Sequence, residues 1–153
     1  MPPLVAFENR VLDLLVPALT GIGTPASGWL SPVPEVHEGV PPDAVTLPQE
    51  PGQSVLYVQH VRTEPAEGDV GTSTHSMRAT FAVWIFSITQ RIALNMKADV
   101  LRAVYALEGP MTTEMQQPLW PREATPPDDM KPAGFAVVAQ VLSIDYSADH
   151  TNP

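Results

Sequence analysis

Cysteine is absent from this chain of 153 residues, so disulfides and thiolate chemistry are excluded and the redox compartment stays open. Charge is scarce: 16% of residues are Asp, Glu, Lys or Arg, where roughly a quarter is usual. Pro, Thr, Ser, Gln and Ala must therefore cover part of the surface, as suits either faces that meet other subunits or long polar loops. Positive charge is scarcest, with eight Lys and Arg against 17 Asp and Glu and a net charge of −9. The bases are scattered as Arg10, Arg62, Arg78, Arg91, Lys97, Arg102, Arg122 and Lys131. Phosphate contacts supply most non-specific nucleic-acid affinity, so direct DNA binding is not expected. An acidic wall would instead repel passing DNA, which suits a conduit better than a clamp.

Long hydrophobic runs are also missing. The nearest, residues 79–88, is about half the roughly 18 apolar residues of a membrane span. The start, MPPLVAFENR, lacks a basic region and carries Glu8 early, unlike a signal peptide. A soluble intracellular protein is the expectation. The length suits one domain over 1–153, able to bury about 68–70% of its extended surface.

What is present centres on Met77–Ile88 (MRATFAVWIFSI) followed directly by Thr89–Glu108 (TQRIALNMKADVLRAVYALE). The first segment is apolar at both parities: Ala79, Phe81, Val83 and Ile85 on one side, Ala82, Trp84 and Phe86 on the other. Such a strand needs helices on one face and further cover on the second, which another chain can supply. The second segment predicts a helix over 89–108, with Ile88, Ile92, Met96, Val100, Ala103, Val104 and Leu107 on one stripe. Leu94, Ala98, Leu101 and Tyr105 widen it toward a second contact surface. Asp99 and Arg102 are spaced to pair on the exposed side, and Gly109–Pro110 to stop the helix.

Around this unit, residues 4–19 predict a helix with Leu4, Phe7, Val11, Leu15 and Ala18 on one stripe, kinked or shortened at Pro17. Seven prolines in 22–52 predict an irregular arm, with extended pieces near Val33–Val36 and Val45–Leu47. Ser54–Arg62 predicts a strand, and Thr63–Ser76 a mobile hairpin loop. The stretch 111–132 reads as a Pro-rich loop holding Leu119 and Trp120, with Trp120 either a core plug or an interface anchor. Phe135–Tyr146 predicts a closing strand beside 77–88, and 149–153 a polar tail. The fold class is therefore α/β (α+β), a small mixed or antiparallel sheet packed by two helices, with long Pro-rich loops.

No motif connects these elements to catalysis. His37, His60, His75 and His150 lack ligand-like neighbours at short spacing, and HEGVPPD at 37–43 is not H-E-x-x-H. Ser73, Ser76, His75 and Asp69 have no nucleophile elbow to support a triad. Glu123, Asp128 and Asp129 read as loop decoration, and no phosphate-binding Gly-Lys-Ser/Thr occurs. No enzymatic activity, metal or cofactor is expected. The acids Glu35, Glu38, Asp43, Glu50, Glu64, Glu67 and Asp69 read as a solvated loop face or as an acidic interface or lumen.

The order of these elements resembles the tail terminator and tail-completion proteins of long-tailed bacteriophages, including prophage and phage-like particles. The likeness runs through an N-terminal amphipathic helix, a Pro-rich arm, LPQEPGQSVLYV, MRATFAVWIFSITQ, the helix over 89–108 and VVAQVLSIDYSAD. The resemblance implies a virion structural protein at the head-proximal end of the tail, assembled in the host cytoplasm as a ring, with six copies as the family norm. Such a ring ends tube polymerisation and offers the docking surface for the head connector, while DNA passes through without being read. Its partners would be itself, the tail tube protein and the head–tail connector, with no membrane.

Carried over by element, the ring body would hold Phe81, Val83, Trp84, Ile85, Ile92, Met96, Val100 and Val104. Tube or neighbour contacts would fall at Glu67, Asp69, His75 and Trp120. The arm with Glu35, Glu38, Asp43 and Glu50 would face a neighbour or the lumen. A head–tail connector or neck protein of the same particle is the nearer alternative, and a soluble ligand-binding domain or small hydrolase the more distant one.

Overall fold

A computed structural model of the chain describes residues 6–23, 28–47, 52–65, 75–107, 120–122 and 136–148. These comprise two helices and five strands: α1 (Phe7–Thr20), β1 (Glu35–Glu38), β2 (Val55–Pro65), β3 (His75–Ser87), α2 (Gln90–Ala106), β4 (Trp120–Arg122) and β5 (Ala136–Ala148). The strands form one mixed sheet in the order β1-β2-β3-β5-β4. β1 runs parallel to β2 and every other pairing is antiparallel. Both helices cover the same face, so the expected architecture, a small mixed sheet packed by two helices, is the one observed.

The core follows from strand parity. Ala79, Phe81, Val83 and Ile85 of β3 face the helices beside Leu56 and Val58 of β2 and Leu142 and Ile144 of β5. Against them lie Phe7, Val11, Leu15 and Leu19 of α1 and Ala93, Met96, Val100, Ala103 and Val104 of α2. Four residues of α1 at spacings of four keep one stripe inward.

α1 does not stop at Pro17. It runs to Thr20, and the N–H of Gly21 closes onto the Pro17 carbonyl at 3.1 Å. Near a helix end a proline removes only one donor, and the last turn tolerates that loss. Gly23 then takes φ +78°, and a Cβ there would sit 2.5 Å from the backbone N of Val33, so returning backbone occupies the space. Only two residues separate β3 from α2 because Thr89 caps the helix, its hydroxyl accepting from the Ile92 N–H at 3.2 Å.

Several expectations are corrected. The segment expected as a loop over 63–76 is strand at both ends, since β2 continues to Pro65 and β3 begins at His75. A bulge between His60 and Arg62 shifts the register, so Arg62 opposes Thr80 and leaves the face it would otherwise share with His60. Thr63 thereby opposes Ala79 and turns toward the helices. The extended piece near Val33 forms β1, whereas Val45–Leu47 forms no strand. Ile88 lies outside both β3 and α2 and is 61% exposed, so it is not part of the core stripe. Within 111–132, Trp120–Arg122 adds an edge strand to β5.

The second face of β3 changes the argument for oligomerisation. Phe86 is buried there with Val55 and Val45, and Leu47, Tyr57, Trp84 and Val137 pack around them. The chain's own 45–47 segment thus supplies cover at this end of the sheet. Ser54 and Ser87, both fully buried, satisfy each other with a hydroxyl pair at 2.7 Å.

Candidate functional site

The sheet has two ends. At one, β2 ends at Pro65, β3 begins at His75 and β5 ends at Ala148, paired with His75. The β2–β3 connection departs from this end. At the other, β1 pairs along Val55–Val58 and places Glu35 and Glu38 on an exposed edge. Asp43 is exposed beyond it. Glu50, Glu67 and Asp69 lie outside the described residues, as do Glu123, Asp128, Asp129, most of 111–132 and the tail.

His75 and Trp120 do not come together. Trp120 opposes Ser143, whose β3 partner is Thr80, about 17 Å along the strand from His75. Of the residues assigned to the ring body, Phe81, Val83, Ile85, Met96, Val100 and Val104 are buried core. Ile92 is half-buried, and Trp84 is half-buried on the opposite face, donating its indole N–H to Gln59 Oε1 at 2.9 Å.

A polar cluster ties α1 to the sheet near the β2–β3 connection. Glu8, in the first turn of α1, accepts at one carboxylate oxygen from Thr63 Oγ1 at 2.9 Å and Tyr146 Oη at 2.8 Å. Tyr146 also stacks on Phe7 with ring centroids 3.9 Å apart. Partial burial pushes the Glu8 carboxyl up, but hydrogen bonds from Tyr146, its own backbone and Thr63, with the charge of His60, bring it below the usual range. Tyr146 is held well above the ordinary tyrosine value by burial and by the Glu8 carboxylate.

His60 Nε2 lies 2.7 Å from Thr63 Oγ1. Because the Thr63 proton points to Glu8, that nitrogen must donate to the hydroxyl rather than accept from it. The arrangement joins Glu8 of α1, Thr63 of β2 and Tyr146 of β5. It fastens three elements. No group of three His, Asp or Glu converges as a metal site among the described residues.

A second fastening lies on α2. Asp99 is 2% exposed and accepts from the Leu30 N–H at 3.1 Å to each oxygen and from the Ser31 N–H at 2.8 Å. Arg102 donates to the Gly28 carbonyl and lies 4.6 Å over the Trp29 ring. Asp99 and Arg102 therefore do not pair on an exposed face as their spacing predicts. They clamp the 28–31 loop, and the sequence signal was an acid set inside the apolar Met96–Val100 stripe.

On the outward flank of α2, Leu94 is 48% exposed and Tyr105 60% exposed, with Ala98 exposed and Leu101 half-buried between them. At 100° per residue these four fall on one stripe directed away from the core. No described residue forms a ring contact with Tyr105. These four therefore do not widen the core-facing stripe, as the sequence suggests, but form a separate apolar stripe on the outward side of α2. No helix among the described residues is long and apolar enough to cross a membrane.

Comparison with protein-family models and with curated proteins finds no match to this chain.

Proposed function

We propose that this chain is a ring subunit of the tail-terminator type, capping the head-proximal end of a phage tail tube and presenting the head-docking surface. The observation that carries this reading is the exposed stripe Leu94–Ala98–Leu101–Tyr105 on a protomer whose core is already closed by its own residues. Apolar side chains grouped on one exposed helix flank are a natural place of contact. The order of elements adds support. A cap must match the last tube ring on one face and differ from it on the other, so that no further tube subunit adds. In a closed cyclic ring each protomer uses two different surfaces, one for each neighbour.

The β2–β3 connection is the proposed tube contact. Deleting 63–76 would remove Thr63 and disturb the fastening of Glu8, so the informative deletion is 67–73. Negative-stain imaging with and without tail tubes is the test. The full chain is expected to form rings that sit at one tube end, and the deletion variant rings that do not. Tubes that stay uncapped by the full chain, or capping that survives the deletion, would refute the respective assignments.

A further inference from the structure

α2 is basic in an acidic protein. It carries Arg91, Lys97 and Arg102, three of the eight basic residues. Its one acid, Asp99, is buried under the backbone of the 28–31 loop. Arg102 is engaged by Gly28 and Trp29, which leaves Arg91 and Lys97 to flank the exposed stripe of Leu94, Leu101 and Tyr105. Neither makes an ion pair among the described residues.

The segment 35–43 (EVHEGVPPD) is the reverse. Glu35, Glu38 and Asp43 are exposed on it, it holds no Lys or Arg, and Val40 stands 67% exposed between Glu38 and Asp43. His37 meets Glu35 at 3.0 Å, which leaves Glu38 and Asp43 as its unengaged acids among the described residues. These two surfaces belong to different parts of one protomer. β1 is a sheet edge packed on β2 and α1, whereas α2 packs on β3 and β5.

We infer that the occupant of the α2 flank is a second copy of this chain, docking through its Glu38–Val40–Asp43 edge. This pairing rests on the ring reading, to which it adds the two surfaces that meet. On one surface bases flank an apolar stripe, on the other acids flank the exposed Val40, and the signs are opposite. The match is therefore heterologous, head to tail, as a cyclic ring requires and a two-fold dimer does not. Charge on the rim of such an interface sets register and rejects the wrong orientation, since two basic flanks or two acidic edges would repel. The helix fastening at Asp99 serves the interface as well: it removes the only negative charge from α2 and leaves its outer flank wholly basic.

The test is a charge swap read by sedimentation velocity across a concentration series. One variant carries Arg91→Glu with Lys97→Glu, the other Glu38→Lys with Asp43→Lys, and circular dichroism checks that both fold. Each alone is expected to weaken self-association at least about tenfold. The wild type is expected to dissociate as salt is raised, because rim charges are screened. Mixing the two variants restores opposite signs at every contact and is expected to recover wild-type assembly. A chain that stays monomeric at low salt would overturn both this pairing and the ring reading. Assembly that persists unchanged in both variants, or that the mixture fails to recover, would overturn the pairing alone.

Discussion

Replacing Asp99 by Ala removes the acceptor for two backbone donors at once. The Ser31 N–H is buried and bonds at 2.8 Å, while the Leu30 N–H is half-buried and lies 3.1 Å from each oxygen. A buried donor left unpaired costs about 1–3 kcal/mol, and bonds to a charged acceptor lie in the upper part of that range. Leu30 recovers part of its loss from water, so the two together amount to about 3 kcal/mol. For a chain of this length that corresponds to a fall in Tm of about 6–12 °C.

Asp99→Asn separates geometry from charge. A carbonyl placed where Oδ2 now lies still accepts from both Leu30 and Ser31, so its cost is expected to be only about 1 kcal/mol. Urea unfolding followed by circular dichroism gives the stabilities. Trp29 fluorescence, isolated against a Trp29→Phe variant, reports release of the loop from Arg102. An Ala variant within about 0.5 kcal/mol of wild type, a spread ordinary for surface substitutions, would refute the clamp. So would an Asn variant less stable than the Ala one.

Tyr146→Phe keeps the stack on Phe7 but deletes a donor to Glu8; a loss of about 1 kcal/mol in urea unfolding at neutral pH is expected. The same network predicts two pH limits. Glu8 is depressed in the fold, so its contribution is present above the ordinary carboxyl value of 4.5 and is lost as pH falls through the lower folded value. Tyr146 is raised, so its contribution is complete below the ordinary tyrosine value of 10.0 and declines as pH climbs above it. The alkaline decline should flatten in the Phe variant, and unchanged unfolding curves above pH 10.0 would count against the bond. Gly23→Ala and Gly39→Ala form a matched pair, since both glycines have positive φ but only Gly23 meets backbone at 2.5 Å. The first should cost at least about 2 kcal/mol and the second about 1; equal thermal shifts would be inconsistent with the close approach. Phe86→Ala should cost about 3–5 kcal/mol, because the chain's own Val45 and Val55 seal Phe86 from solvent. A chemical-denaturation loss below about 1 kcal/mol would show that this face is open.

The elements with a regular hydrophobic period were legible in the amino-acid sequence by itself. The spacing of Phe7, Val11 and Leu15, the two-sided apolar alternation of 79–86 and the helical stripe of α2 each depend on neighbours within one or two turns, although Leu19 rather than the expected Ala18 completes the buried stripe of α1. The neighbour of β3 was legible too, because 77–88 and 135–146 read as strands of matching length, and β3 and β5 do pair antiparallel. That Leu94 and Tyr105 stand on the outward side of α2, instead of widening its inward stripe, became plain only in the fold.

Tertiary structure decided the rest, and for a common reason. The bulge at His60/Arg62 reassigns faces along the end of β2, and one extra residue in a strand leaves no local trace in hydropathy. Asp99 has the spacing of half a surface pair, but a loop 68 residues away in sequence brings N–H groups to it. Glu8 and Tyr146 are 138 residues apart and meet only because α1 lies across the end of β5. The cover over Phe86 likewise comes from the arm, so at that end of the sheet the chain's own residues do what a second chain was expected to do. Local periodicity sets which side of each element turns inward. Which buried acid finds a donor, and which apolar face is left without cover, is set by contacts between distant segments that only the folded chain brings together.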